Sequence, residues 1–302
     1  MKVSRLEPQQ LGRFVEFCNA SRDKVDGSYL SDEDLSGFSV ADEDPTYLLT
    51  KEDGSIAGAV SLMLTAKAIA ARKARFRLLW CRDGDKGHYR ALLSALSDEA
   101  FGIDSAYLFA PLEDTHLSSI LDELGFIVER NVYSLARGME LPPGKPSLPG
   151  GYAIRPFVKG VDEAAWCRVR NAAFATVKGN DAPQSADDVL RMASSPDGIE
   201  GAMLVLEERG RAVAVARGSK DELDGKPAMN IGPIAVLPER QGMGLGRALL
   251  RALVSIALEK GIGMTTLSVN ADNETALKLY VSEGFTKMRS FACRSVKPSS
   301  IL

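Results

Sequence analysis

Read without a structure, the chain is an α/β protein made of two tandem domains of one plan. Three observations carry this expectation. The segment Pro142-Pro143-Gly144-Lys145-Pro146-Ser147-Leu148-Pro149-Gly150-Gly151 has proline or glycine at seven of its ten positions. It cannot form a helix or a central strand, so it reads as a linker. It divides the 302 residues into near-equal halves, 1–141 and 152–302. Each half presents the same order of segments, and one helix in each carries almost the same words: Arg90-Ala91-Leu92-Leu93-Ser94-Ala95-Leu96 and Arg247-Ala248-Leu249-Leu250-Arg251-Ala252-Leu253.

The segments follow in step. A short alternating strand containing arginine opens each half, at 3–6 and 153–156, and a helical pattern follows at 11–20 and 163–174. Two apolar strands flank a charged turn, at 47–50 and 56–64, then at 203–206 and 212–216. A third strand, 75–81 or 229–237, leads into the helix with the shared words. Each half closes with a strand (106–109; 266–269), a short helix ending in Gly125-Phe126 or Gly284-Phe285, and a last alternating strand pair.

Composition narrows the function. Hydrophobic residues make up 45% and charged residues 25%, which excludes disordered and coiled-coil classes. With 37 basic and 40 acidic residues the formal charge is −3, so nothing global attracts nucleic acid or an anionic membrane. Cys18, Cys81, Cys167 and Cys293 form no Cys-x-x-Cys pair, which argues against a disulfide framework or zinc knuckle and for a reducing cytoplasm. His88 and His116 both lie in the first half, so the second half has no histidine for a triad or a multi-histidine metal site. The opening MKVSRLEPQQ lacks the apolar core of a signal peptide, and residues 55–66 are too short an apolar run to span a bilayer.

The most informative segment runs Ile234-Ala235-Val236-Leu237-Pro238-Glu239-Arg240-Gln241-Gly242-Met243-Gly244-Leu245-Gly246-Arg247-Ala248. A strand ends, three glycines alternate, and an amphipathic helix begins. Glycines before a helix start let successive N–H groups turn toward one point, where the helix dipole adds about half a positive charge. The result is an anion site suited to a pyrophosphate. The spacing is not that of a P-loop, because Arg247-Ala248 follows the last glycine, nor the Gly-x-Gly-x-x-Gly of a dinucleotide fold.

A second word lies downstream, Asn270-Ala271-Asp272-Asn273-Glu274-Thr275-Ala276-Leu277-Lys278-Leu279-Tyr280-Val281-Ser282-Glu283-Gly284-Phe285. Asp272 or Asn273 suits an N-cap and Gly284 a C-cap. Asn273, Ala276 or Leu277, and Tyr280 share one side of the helix.

Together the two words resemble the GNAT superfamily of acyl-CoA N-acyltransferases, with the match covering most of 152–302. The first half resembles a degenerate copy, and this two-copy layout is similar to that of mycothiol synthase. For each half the resemblance implies a central mixed, mostly antiparallel twisted sheet with helices on both faces and two splayed parallel strands. It implies acetyl-CoA as co-substrate, an amine acceptor on a small molecule or peptide, and no metal. The pyrophosphate would lie on Gln241, Gly242, Met243, Gly244, Leu245 and Gly246, with Arg240, Arg247 and Ala248 close by. The pantetheine arm would pair with the strand edge at Ile234, Ala235 and Val236, and Gly232-Pro233 suits the kink that starts the splaying. The Ile234 N–H would serve as oxyanion donor, Asn273 and Ala276 would contact the coenzyme, and Tyr280 would be the general acid. The alternative is a non-catalytic coenzyme A sensor. The chain is expected to act as a monomer or homodimer without nucleic acid or membrane.

Two departures stand out. Where many family members carry a glutamate four residues before the oxyanion donor, this chain has Asn230, which cannot be a base. Asp181, Glu200, Glu207, a water chain or the amine's own equilibrium stay open as proton acceptors. In the first half, Gly84-Asp85-Lys86-Gly87-His88-Tyr89 falls opposite the glycine loop and Leu121 opposite Tyr280. That half is expected to lack catalysis. Lys67, Arg72, Lys73, Arg75 and Arg77 read as a solvated face, Trp80 and Trp166 as core residues, and 178–183 as a cover for the acceptor.

Overall fold

Apolar alternation sets short strands early in the chain and near-continuous apolar runs set the central ones. The computed structural model describes residues 1–302 except Phe101, Leu141, Asn180, Asp181, 299–302 and the side chain of Asp98. In the first half, β1 (Lys2–Arg5), α1 (Leu11–Ser21) and α2 (Asp32–Ser36) precede β2 (Thr46–Thr50) and β3 (Ile56–Met63). Then come α3 (Ala66–Ala71), β4 (Lys73–Cys81), α4 (Lys86–Ser97), β5 (Ser105–Pro111), α5 (Thr115–Glu123) and β6 (Ile127–Gly138). The second half repeats the series, without a counterpart of α3, as β7 (Tyr152–Pro156), α6 (Glu163–Ala173), α7 (Ala186–Ala193), β8 (Gly198–Glu208), β9 (Arg211–Leu223) and β10 (Lys226–Val236). It ends with α8 (Leu245–Glu259), β11 (Met264–Asn270), α9 (Glu274–Ser282) and β12 (Thr286–Val296).

Packing groups the chain as Met1–Val132 with Ser290–Leu302, and as Tyr133–Arg289. In the first unit the sheet order is β1-β2-β3-β4-β5, and β12 completes it: Phe291 to Val296 pair antiparallel with Pro111 to Ala106. In the second unit the order is β7-β8-β9-β10-β11, completed beyond β11 by the end of β6. There Thr265 Oγ1 donates to the Arg137 carbonyl at 3.4 Å. The grouping differs from the linear halves at these two strands, and 142–151 falls within the second unit. The last strand pair expected in each half is corrected to one long strand, β6 or β12. No glycine or proline interrupts 127–137 or 286–296, so neither segment folds back on itself; its neighbour comes from the other half of the sequence.

Each unit has four neighbouring antiparallel strands and one parallel neighbour. The parallel register is brief: Lys73–Ser105 to Arg75–Tyr107 in the first unit, and only Met229–Thr265 and Asn230–Thr266 in the second. Past those pairs the two strands part. In the second unit β9 is buried without interruption over 212–216, as a strand covered on both faces must be, and both α6 and α8 pack on it. Leu245, Leu249, Leu250, Leu253, Val254 and Ala257 form the buried stripe of α8. At about 2 kcal/mol per buried leucine, this stripe anchors the helix whose start forms the site.

Candidate functional site

The glycine loop takes the conformation its composition allows. After a 3₁₀ turn at Pro238–Arg240, Gly242 and Gly244 have φ of +79° and +76°. A Cβ at either position would meet nothing within 4 Å, so backbone conformation rather than crowding requires glycine there. Gly244 is the N-cap of α8 and no side chain caps it. The first amides of α8 therefore lack intrahelical partners and face the loop with the positive end of the dipole. Gln241, Gly242, Met243 and Gly244 are exposed, whereas Leu245 and Ala248 are buried and hold the helix in place.

The edge of β10 beside this loop is open. The Leu237 N–H donates to the Val213 carbonyl of β9 at 3.0 Å. Successive residues of a strand aim their backbone groups at opposite edges, so Ala235 faces β9 as Leu237 does, and Ile234 and Val236 face away, toward the gap left by β11. The Val236 carbonyl accepts Gln241 Nε2 at 3.2 Å, in keeping with that direction. The β9 register shifts between Ile231 and Ile234, where Gly232-Pro233 was expected to kink the strand. A Cβ on Gly246 would lie 3.7 Å from Val236 Cγ2, 3.9 Å from Ile234 Cγ2 and 4.0 Å from Leu279 Cδ2. The first turn of α8, the end of β10 and α9 thus converge on one point.

On α9 the N-cap is Asn273, whose Oδ1 accepts the Ala276 amide at 3.1 Å. Gly284, at φ +89°, closes the helix, with the Phe285 N–H donating to the Tyr280 carbonyl at 3.0 Å. Tyr280 is half-buried, its ring 6.0 Å from that of Phe285. Burial pushes its phenol up to about 12, so the hydroxyl stays protonated. Ile234, Val236, Ala276 and Tyr280 all pack against the core of this unit.

The two arginines of the first word are held by acids the sequence did not flag. Arg240 binds Glu208 at 2.9 Å, and Glu208 accepts the Tyr152 hydroxyl at 2.8 Å. That hydroxyl also lies 3.9 Å from Met243 Sδ. Arg247 and Arg251 both bind Glu283 at 2.8 Å. These pairs cross 32 or more residues of sequence, and no local signal marks them.

Of the open proton acceptors, Glu200 pairs with Lys260 at 3.3 Å. Glu207 is bound by Arg155 at 2.6 Å, which also grips buried Asp162 at 2.6 Å. Asp181 lies outside the described residues, as does Asn180 of the expected acceptor cover. Asn230 Nδ2 donates to Thr266 Oγ1 at 3.3 Å.

In the first half, the same turn is filled from within. Asp85 Oδ1 accepts the His88 amide at 3.1 Å, and His88 Nδ1 lies 2.9 Å from Asp83. A Cβ on Gly84 would fall 2.7 Å from His116 Nε2. Leu121 is fully buried and accepts the Phe126 amide at 2.9 Å, which puts it at the place Tyr280 holds in α9. Four of the five clustered cations are paired, Arg72 with Asp104, Lys73 with Glu129, Arg75 with Asp26 and Arg77 with Asp44. Trp166 is buried and Trp80 half-buried.

Comparison with known proteins bears on the family and the fold. The profile of the Acetyltransferase (GNAT) family matches residues 167–285. A mycothiol acetyltransferase of Kineococcus radiotolerans is 30% identical over 273 residues, covering 89% of this chain and 87% of that protein. A mycothiol acetyltransferase of Cellulomonas flavigena is 31% identical over 213 residues, 67% of this chain but 61% of its own length, so that match spans under two thirds of the relative. Among solved structures, a GCN5-related N-acetyltransferase from Sphaerobacter thermophilus superposes with a TM-score of 0.76 at 19% identity, covering 98% and 95% of the two chains. A tandem GNAT protein from the clavulanic acid biosynthesis pathway gives 0.71 at 15%, covering 98% of both.

Proposed function

Because this chain belongs to the GNAT acetyltransferase family, we propose that its second half transfers an acetyl group from acetyl-CoA to a primary amine of a small molecule or peptide. The observation that carries the reading is the convergence at Gly246. An uncapped helix start, suited to a diphosphate, adjoins an open strand edge suited to an extended arm. The residues fit the co-substrate. Amides from Gln241 to Gly246 would hold the diphosphate with Arg247 and Ala248 nearby, and Arg240 would steady the loop through Glu208. Val236 would align the arm, while Asn273 and Ala276 would border it from α9; the expectation that Ala235 also pairs with the arm is corrected, because its backbone groups are turned to β9.

The chemistry assigns distinct work to three groups. The Ile234 N–H donates to the thioester oxygen as negative charge grows on it, worth ~3 kcal/mol. A neutral amine attacks, and the carbon–sulfur bond then breaks. The Tyr280 hydroxyl shares its proton with the departing sulfur. Its raised pKa makes complete transfer to a thiolate uphill, so the proton moves only as the bond breaks. The reaction as written uses no metal. Four free cysteines support a reducing cytoplasm as its setting. Among the described residues, no helix is long and apolar enough to cross a membrane.

The test is coenzyme A release across a panel of amines that includes the acceptor of the mycothiol acetyltransferases. Amine-dependent release above background hydrolysis is the expected result. A chain that binds acetyl-CoA without such release would be a sensor. Thermal unfolding with acetyl-CoA, ATP and NAD separates a general nucleotide binder, since ligand at about 100 times its Kd stabilises by about 2.7 kcal/mol.

A further inference from the structure

The Asn230 amide cannot take a proton from an attacking amine, and the neighbouring strands place a hydroxyl and a carboxylate beside it. Thr266 Oγ1 donates to Asp221 Oδ2 at 2.6 Å and accepts Asn230 Nδ2 at 3.3 Å. Asn230 is opposite Thr266 in the parallel register and opposite Ser219, two residues from Asp221, in the antiparallel one. All four side chains therefore lie on one face of the sheet. Asp221 is itself opposite Ala228, whose single methyl lets the carboxylate reach over β10 to β11. Asn230–Thr266 is also the final registered pair before β10 and β11 part, so this chain of hydrogen bonds sits at the closed end of the cleft.

Donor and acceptor chemistry fixes the direction of the chain. An ionised carboxylate only accepts, so the hydroxyl proton of buried Thr266 points at Asp221, one lone pair takes the Asn230 amide and the second is left for an incoming proton. Asp221 Oδ1 accepts the Glu222 amide at 2.9 Å, which holds the carboxylate in place. Asp221 is exposed and can return a proton to water.

We propose that Thr266 and Asp221 form the proton relay for the acceptor amine, with Asn230 as the residue that orients the hydroxyl. As the carbon–nitrogen bond forms, an amine proton passes to Thr266 Oγ1 while the hydroxyl proton passes to Asp221. The neutral Asp221 then releases that proton to solvent, and sulfur departs with the proton shared by Tyr280. The relay rests on the acetyl-transfer reading.

The experiment uses the full chain and the panel amine that gives the largest rate. Thr266→Val and Asp221→Asn should each lower kcat about tenfold or more, with acetyl-CoA affinity unchanged. The double variant should be no worse than about threefold beyond the poorer single, since both cut one path. Thr266→Ser, which restores the hydroxyl, should recover most of the turnover that Thr266→Val loses. Single variants that keep kcat within about threefold of the parent overturn the relay, and so does Thr266→Ser as poor as Thr266→Val. A parent chain with no amine-dependent release overturns the acetyl-transfer reading and the relay with it, a result distinct from an active parent with unaffected variants.

Discussion

Asp85 Oδ1 accepts the His88 amide at 3.1 Å, at the turn where α4 begins. The helix start of the first half thus spends its positive end on its own carboxylate, while the start of α8 has only a glycine cap. An incoming diphosphate at α4 would meet the charge of Asp85. Calorimetric titration with acetyl-CoA is expected to give one tight site per chain. Asp85→Ala should cost ~1 kcal/mol of stability as a lost cap. A second site of similar affinity in the parent chain would refute this division of labour.

Gly246→Ala separates stability from binding. Gly246 lies inside α8, and its added methyl would make ordinary contacts of 3.7–4.0 Å with Val236, Ile234 and Leu279. Replacing a helical glycine by alanine gains up to about 1 kcal/mol. With the coenzyme arm along β10 as proposed, the same methyl would border it, and acetyl-CoA should bind about tenfold more weakly or worse. A melt and a titration on one preparation check both signs.

Tyr280→Phe is expected to lower kcat by about 10²-fold with little change in acetyl-CoA affinity. Burial raises the phenol to about 12, so Tyr280 contributes no alkaline fall in kcat below about pH 10. Above pH 10 the unfolded chain releases this proton while the folded chain keeps it. Stability should therefore drop as pH rises toward 12, and the phenylalanine variant should show less of that drop. Steady-state rates and melts over the alkaline range supply the readout.

Arg155 tests the cluster that pairs Glu207 with Asp162 through one guanidinium. It binds Asp162, whose side chain is 5% exposed, and Glu207. Hydrogen bonds from Arg155 hold the Asp162 carboxyl below its usual range. Arg155→Ala should cost ~3 kcal/mol near neutral pH by leaving the buried Asp162 carboxylate with the Val158 amide but no cation. The contribution from Asp162 is complete above the unfolded value near 3.9 and is lost as pH falls through the lower folded value. Parent and variant should therefore converge in acid, as urea denaturation at several pH values would reveal.

What the sequence made legible was local. Gly242 and Gly244 need positive φ, Asn273 caps its own helix, and Gly284-Phe285 ends it; each depends on a few neighbouring residues. What escaped was set by register across the sheet. Asp221, Ala228 and Thr266 belong to three strands, and their common face follows from pairings no single strand records. Glu208 and Glu283 escaped for the same reason, because their arginines lie far along the chain. The fate of β6 and β12 was hidden because an unbroken alternating strand does not say which edge it joins.

That trade of end strands bears on heredity. Cutting the gene at 142–151 would strip β12 from the β5 edge and the end of β6 from the β11 edge, baring unpaired backbone on both products. A duplicate whose copies have swapped their tails can no longer be discarded. Selection would retain the first half as scaffolding whatever chemistry it has of its own.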